Sequence, residues 1–208
     1  MASLLKRLME PEKAAFCGIV GPFYAFMSIM IAILVSLSPP YWFTWTGNAL
    51  SDLGHPLLHP VSALIFDSGL VIGGIITIFF TLGLMSWFRK NILAFAGTVI
   101  LLVATVALIC VGLFNETFSP WHFIFSVTLF ASMALSLLVI GAAMAINKST
   151  RWFGIFTLLL GVIAASPWLL MTWQHAAIPE TISALTAYAW VLLMTTRLGA
   201  QKDIAPKK

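Results

Sequence analysis

The stretch "ILAFAGTVILLVATVALICVGLF", residues 92–114, carries no charged residue in twenty-three positions. At about 1.5 Å of rise per residue, such a helix spans ~35 Å, enough to cross a hydrocarbon core about 30 Å thick. It shows no strand-like alternation. Lipid cannot satisfy exposed backbone polar groups, so a segment of this kind must be helical. Five other segments share the pattern: Ala14–Leu37, Val61–Trp87, Trp121–Ile146, Trp152–Trp173 and Glu180–Thr196. The whole chain agrees, being 61% apolar and 9% charged over 208 residues. The prediction is an all-α polytopic membrane protein with a single six-helix domain over residues 14–198. A cytoplasmic or interfacial segment (1–13) precedes it and a basic cytoplasmic tail (199–208) follows.

Six spans put both termini on one side. Lys6, Arg7 and Lys13 precede the first span, Arg89 and Lys90 follow the second, Lys148 and Arg151 follow the fourth, and Arg197, Lys202, Lys207 and Lys208 end the chain. All eleven basic residues thus fall on the side of the termini, which the positive-inside rule makes cytoplasmic. The expected location is the cell membrane, multi-pass. The net charge of +4 reflects orientation and contact with anionic head groups, with no nucleic-acid partner. The first apolar run is full length and reads as a signal anchor, not a cleaved signal. Leu4, Leu5 and Leu8 opposite Lys6 and Arg7 suggest a short surface helix that Pro11 ends. Cys17 and Cys110 lie near opposite ends of their helices and are expected as unpaired thiols.

The remaining polar residues concentrate at the other end. Asp52, Asp67, Glu116 and Glu180 lie there with all four histidines, His55, His59, His122 and His175. Topology does not require this, because acids contribute little to it. In "WTGNALSDLGHPLLHP", residues 45–60, Thr46 is positioned to cap a short interfacial helix and Gly54 to stop it. Asn48, Ser51 and Asp52 would share one face, inward, with Leu50 or Leu53 toward the interface. The alternative is that these polar groups only cap helix ends and satisfy loop backbone. Pro56 within "HPLLH" and Pro60 just after it argue against a helical metal pair at His55 and His59. Asp67 falls seven residues into the second span, roughly 10 Å deep. No Lys or Arg on that side can pair with it, so it is a functional-site candidate. In "FNETFSPWHF", Glu116 and His122 flank Pro120, and Ser126 lies one turn below His122. Pro167 is expected to kink the fifth span. Tyr41, Trp42, Trp45, Trp121, Trp168 and Trp173 read as an interfacial aromatic belt. Gly69 and Gly73 form a small-xxx-small pair suited to helix packing. No established catalytic motif is present.

"SPPYWFTWTGNALSDLG" and "GLFNETFSPWHFIFSVTLF" resemble the two marks of a family of small six-helix membrane proteins, frequent in archaea, called domain of unknown function 998. Asn48, Ser51, Asp52, Gly54, Glu116 and His122 match its pattern, whereas His55, His59 and His175 do not belong to it. The family in turn resembles the FRAG/DRAM/SFK-type membrane proteins, whose first outer loop carries an Ile-Ser-Asp-x-Gly core like Leu50–Gly54 here. The resemblance implies the six-helix plan. It also implies association with lipid-anchor remodelling, membrane-lipid organisation and autophagy, without settled chemistry.

Three functions compete. The first is a protein that binds or organises membrane lipids through an outward-facing polar pocket lined by Asp52, Asp67, Glu116 and His122, with Asn48 and Ser51 contributing and His55, His59 or His175 at its rim. The second is an intramembrane hydrolase or transferase acting on lipid head groups. Its catalytic groups would be Asp52, Asp67 and His122, and a divalent metal such as zinc, held by some of His55, His59, His122 and His175, would activate water. The third is a proton-coupled carrier using Asp67. Membrane lipids are the expected partners, and a homo-oligomer is left open.

Overall fold

The computed structural model describes residues 10–170 and 172–199. The proposed surface helix of residues 1–9 and the tail beyond Gly199 lie outside the described residues. Six long helices are present: α1 (Pro11–Ser36), α2 (Pro60–Phe88), α3 (Ile92–Leu113), α4 (Trp121–Ile146), α5 (Arg151–Leu170) and α6 (Ala177–Gly199). Each is long and apolar enough to cross a membrane, and there is no strand among the described residues. A 3-10 helix, Leu50–Gly54, lies between α1 and α2. The chain is a multi-pass, all-helical membrane protein.

Each helix packs against the next, and α6 closes the ring against both α5 and α1. The 3-10 helix seats on α1, α2 and α6, at the end of the bundle away from the termini, hereafter the distal end. Two apolar clusters fill the ring. The one near the termini includes Phe80, Leu84, Ile140, Met194 and Trp190, which is 0% exposed. The distal one includes Phe43, Leu50, Leu53, Phe66 and Val111. Helix starts use local devices. Pro11 and Pro60 open α1 and α2, where a missing N–H costs nothing. The Asn91 side chain caps α3 by accepting from the Ala94 N–H at 3.0 Å.

In lipid, hydroxyls need partners. Most Ser and Thr in the spans donate to a carbonyl one turn back, as Thr77 does to Gly73 (2.7 Å) and Thr105 to Leu101 (2.9 Å), which satisfies them within their own helix. A few reach across: Trp190 donates its indole N–H to Thr157 Oγ1 at 3.1 Å.

Small residues set the closest approaches. Gly69 and Gly73 of α2 pack on Ser28 and Ala25 of α1, the packing role expected of the pair. A Cβ on Gly141 would meet the Leu158 N at 2.7 Å, and one on Gly154 would meet the Met144 carbonyl carbon at 2.6 Å. The half of the α4–α5 seam near the termini is therefore closed backbone to backbone.

Several expectations need correction. The distal short helix starts at Leu50, not after Thr46, and Gly54 does not have a left-handed conformation. Leu50 and Leu53 both point into the core, with 7% and 0% exposure, because the cap must cover the apolar mouth of the ring. Helix α5 ends at Leu170, short of Trp173. The Trp173 indole returns to donate to the Pro167 carbonyl at 2.8 Å. Helix α6 runs longer at both ends than Glu180–Thr196.

Replacing Gly154 by Leu forces a side chain into the α4 backbone. Overpacking of this kind costs about 1–3 kcal/mol. Thermal unfolding in detergent should show a clear loss of stability, whereas Gly199→Ala, where a Cβ would meet nothing nearer than Ala15 Cβ at 4.0 Å, should leave it nearly unchanged.

Candidate functional site

The distal loop is built around Asn48. Its side-chain oxygen accepts from the Thr44 N–H (2.9 Å), and its side-chain amide donates to Asp52 Oδ2 (2.7 Å). Its own carbonyl accepts from the Ala177 N–H (3.0 Å). Asp52 Oδ2 also accepts from the Ala49 N–H (3.0 Å), holding the first turn of the 3-10 helix. The Leu50 N–H donates to Glu180 Oε2 at 2.6 Å. Glu180 is 6% exposed. The loop is thus pinned twice to the first turn of α6, once through backbone and once through a buried carboxylate.

Ser51 projects from this cap and donates to Glu116 Oε1 at 2.7 Å. Glu116 lies in the α3–α4 loop. Burial pushes its carboxyl above the ordinary range. The Ser51 hydrogen bond opposes that shift, and the nearby Asp52 adds to it. His122, in the first turn of α4, bonds the Phe114 carbonyl through Nδ1 at 2.7 Å. A carbonyl can only accept, so Nδ1 carries a proton. Ser126 Oγ lies 3.4 Å from Nε2.

These groups head a cavity of about 690 Å³. At its distal end stand Ser51, Glu116, Ser119, His122, Ser126 and Glu180. From there it follows the distal part of the α4–α5 seam as an apolar groove over Phe130, Ala134, Leu135 and Leu138, with Trp168 and Leu169 on the facing side. Leu169 is 79% exposed, so the groove opens toward the lipid. Trp168 donates to Ser183 Oγ (2.9 Å) and packs on Phe130 with centroids 5.1 Å apart. Ser183 in turn donates to the Ala164 carbonyl of α5 (2.8 Å). A smaller central cavity of about 170 Å³ shares Ser51, Ser126, Phe130 and Glu180 with the groove.

Of the residues singled out from sequence, Ser51, Glu116 and His122 come together in this cavity. Asn48 and Asp52 stand behind Ser51 as its framework. Asp67 does not line the cavity. Its Oδ2 faces the Asn115 side-chain amide at 3.4 Å, and its Oδ1 packs on Gly54 with no hydrogen-bond partner. His59 stacks flat on Trp42, with centroids 3.5 Å apart. Burial first, and the neighbouring His55 second, push its imidazole below the ordinary value. The Nδ1 of His55 is buried with no hydrogen-bond partner, and His175 is exposed in the α5–α6 loop. No group of three His, Cys, Asp or Glu among the described residues is placed to hold a metal ion. Glu180 was missed as a site residue. The signal was available, since it is the one acid in the last span and has no basic partner nearby in sequence. Trp168 reads as belt from sequence and is partly exposed, with its ring held at the groove by Ser183 and Phe130.

The chain matches the family model described as "Protein of unknown function (DUF998)" over residues 19–197. That match covers most of the chain, and the protein belongs to this family. No curated protein and no solved structure shows a significant match to it.

Glu116 sets a pH dependence. Its pKa is raised on folding above the ordinary 4.5, so the folded state binds its proton more tightly than the unfolded state does. The resulting stability is fully present below about pH 4.5 and is lost as pH rises through the higher folded value. Thermal unfolding of wild type against Glu116→Gln should show their difference in stability changing with pH across that window, wild type gaining relative to the variant on acidification. A difference that stays flat from acid to neutral pH would contradict this.

Proposed function

We propose that this family member binds a membrane lipid or single-chain amphiphile, with the head group at the distal cluster of Ser51, Glu116 and His122 and the chain along the α4–α5 groove. The observation that carries this reading is the continuity of the cavity, polar at one end and apolar along the rest. From Phe123 to Leu138 the groove follows sixteen residues of helix, a rise of ~22 Å over the fifteen steps between them at 1.5 Å per residue. That exceeds one leaflet of a hydrocarbon core about 30 Å thick. The open side faces the bilayer, so a chain enters laterally without crossing water. The likeness of Leu50–Gly54 to the loop core of the FRAG/DRAM/SFK-type proteins points the same way, because that group is associated with membrane-lipid organisation. With the basic residues cytoplasmic, the cluster lies on the outer leaflet of the cell membrane.

The test uses a long-chain monoacyl glycerol brominated along its chain, added to the protein in uncharged detergent. Bromine quenches tryptophan at close range, and Trp168 lines the groove. We expect saturable quenching that is largely lost in Trp168→Phe. Ala131→Phe, which narrows the groove from its exposed edge, should weaken binding about tenfold, equivalent to 1.4 kcal/mol. Quenching that never saturates, or that is indifferent to both substitutions, would falsify the reading.

A further inference from the structure

The cavity's polar end has a definite hydrogen-bonding sense. Its donors are already committed: the Ser51 hydroxyl to Glu116, the Trp168 indole to Ser183, and His122 Nδ1 to the Phe114 carbonyl. What remains fixed and facing the cavity are acceptors. These are the carboxyl groups of Glu116, which Ser51 engages at Oε1, and of Glu180, which Leu50 engages at Oε2. The other polar side chains lining it are the hydroxyls of Ser119 and Ser126, which can turn either way. Among the described residues, no Lys or Arg lines the cavity.

Head-group chemistry therefore decides selectivity. A lipid tail gains little by leaving other tails for an apolar groove, because lipid is as apolar as the groove wall. Discrimination must come from the polar end, where a carboxylate facing an anion is repelled and a carboxylate facing a donor is satisfied. Resting on the lipid-binding reading above, we propose that the site selects amphiphiles whose head group is uncharged or cationic and rich in hydrogen-bond donors, such as a primary ammonium or a glycerol-type polyol, and rejects anionic carboxylate or phosphate heads. The ammonium and the polyol share one recognition chemistry, donation into Glu116 and Glu180.

The experiment compares four probes on the same brominated chain, in uncharged detergent near neutral pH: a primary amine, a monoacyl glycerol, a fatty acid and a monoacyl phosphate. The readout is the concentration for half-maximal quenching of tryptophan fluorescence. We expect at least one of the two donor heads to saturate at a concentration about tenfold or more below both anionic heads; which of the two binds tighter identifies the source of the donors. In Glu116→Gln, which keeps the shape and introduces a donor, the gap between donor and anionic heads should shrink severalfold. Equal saturation by all four heads, or preference for an anion, overturns the selectivity while leaving the lipid-binding reading intact. Absence of saturable quenching by any head removes the lipid-binding reading itself. The wild-type ranking stands whether or not the variant folds.

Discussion

The hydrogen bond from the Leu50 N–H to the buried Glu180 carboxylate, 2.6 Å long, joins two ends of the chain that sequence separates by 130 residues. It sits where the distal loop meets the start of the last helix. A carboxylate at that level of a membrane protein has no bulk water to solvate it, so it requires a donor. The loop supplies one from its own backbone, and Ala177 returns a second bond to the Asn48 carbonyl. The same loop therefore roofs the ring, satisfies Glu180 and presents Ser51 to Glu116. Removing the carboxylate would leave a buried amide unsatisfied, at a cost of about 1–3 kcal/mol, and would loosen the element that aims Ser51.

The glycine contacts explain why the groove lies where it does. Gly141 and Gly154 bring α4 and α5 together near the termini, where the two backbones leave no room for a Cβ. Farther along the seam the facing residues are Ala131, Ala134, Ala165 and Trp168. The small side chains leave space there, and Trp168 is held to one wall by Ser183. One seam thus has a sealed half and an open half, set by which small residue stands at each turn.

The fold was legible because lipid removes alternatives. Uncharged runs of helical length allow one backbone structure, and α4 begins and ends where hydropathy alone places it. The cap was less legible. Leu50 and Leu53 alternate with polar residues in a way that suits an interfacial helix, and only the apolar mouth of the ring turns them inward. Asp67 carried the strongest sequence argument, depth without a cationic partner, yet it sits on Gly54 beside Asn115, apart from the cavity. Depth measures cost but not direction, and a span's sequence does not say which neighbour its acid faces. Glu180 had the same signature at the start of α6, and its role appeared only when the first loop was seen to reach it. Ser51, Glu116 and His122 were found because each lies in a loop or first helical turn at the same end of adjacent spans.

The hydroxyls bonded within their own helices have an electrical consequence. Among the described residues of the six helices, no Asp, Glu, Lys, Arg or His lies between the level of Asp67 and the end marked by Arg89 and Arg197. Thr77, Thr105 and Thr157 each return their proton to a carbonyl one turn away, so they form no relay through the bundle. Moving one elementary charge through the full field takes about 2.3 kcal/mol per 100 mV. With its charged groups confined to the helix ends, the bundle offers that field almost nothing to push on. A change of charge at the distal cluster therefore stays at that end of the bundle, with no side-chain path to couple it to the opposite face.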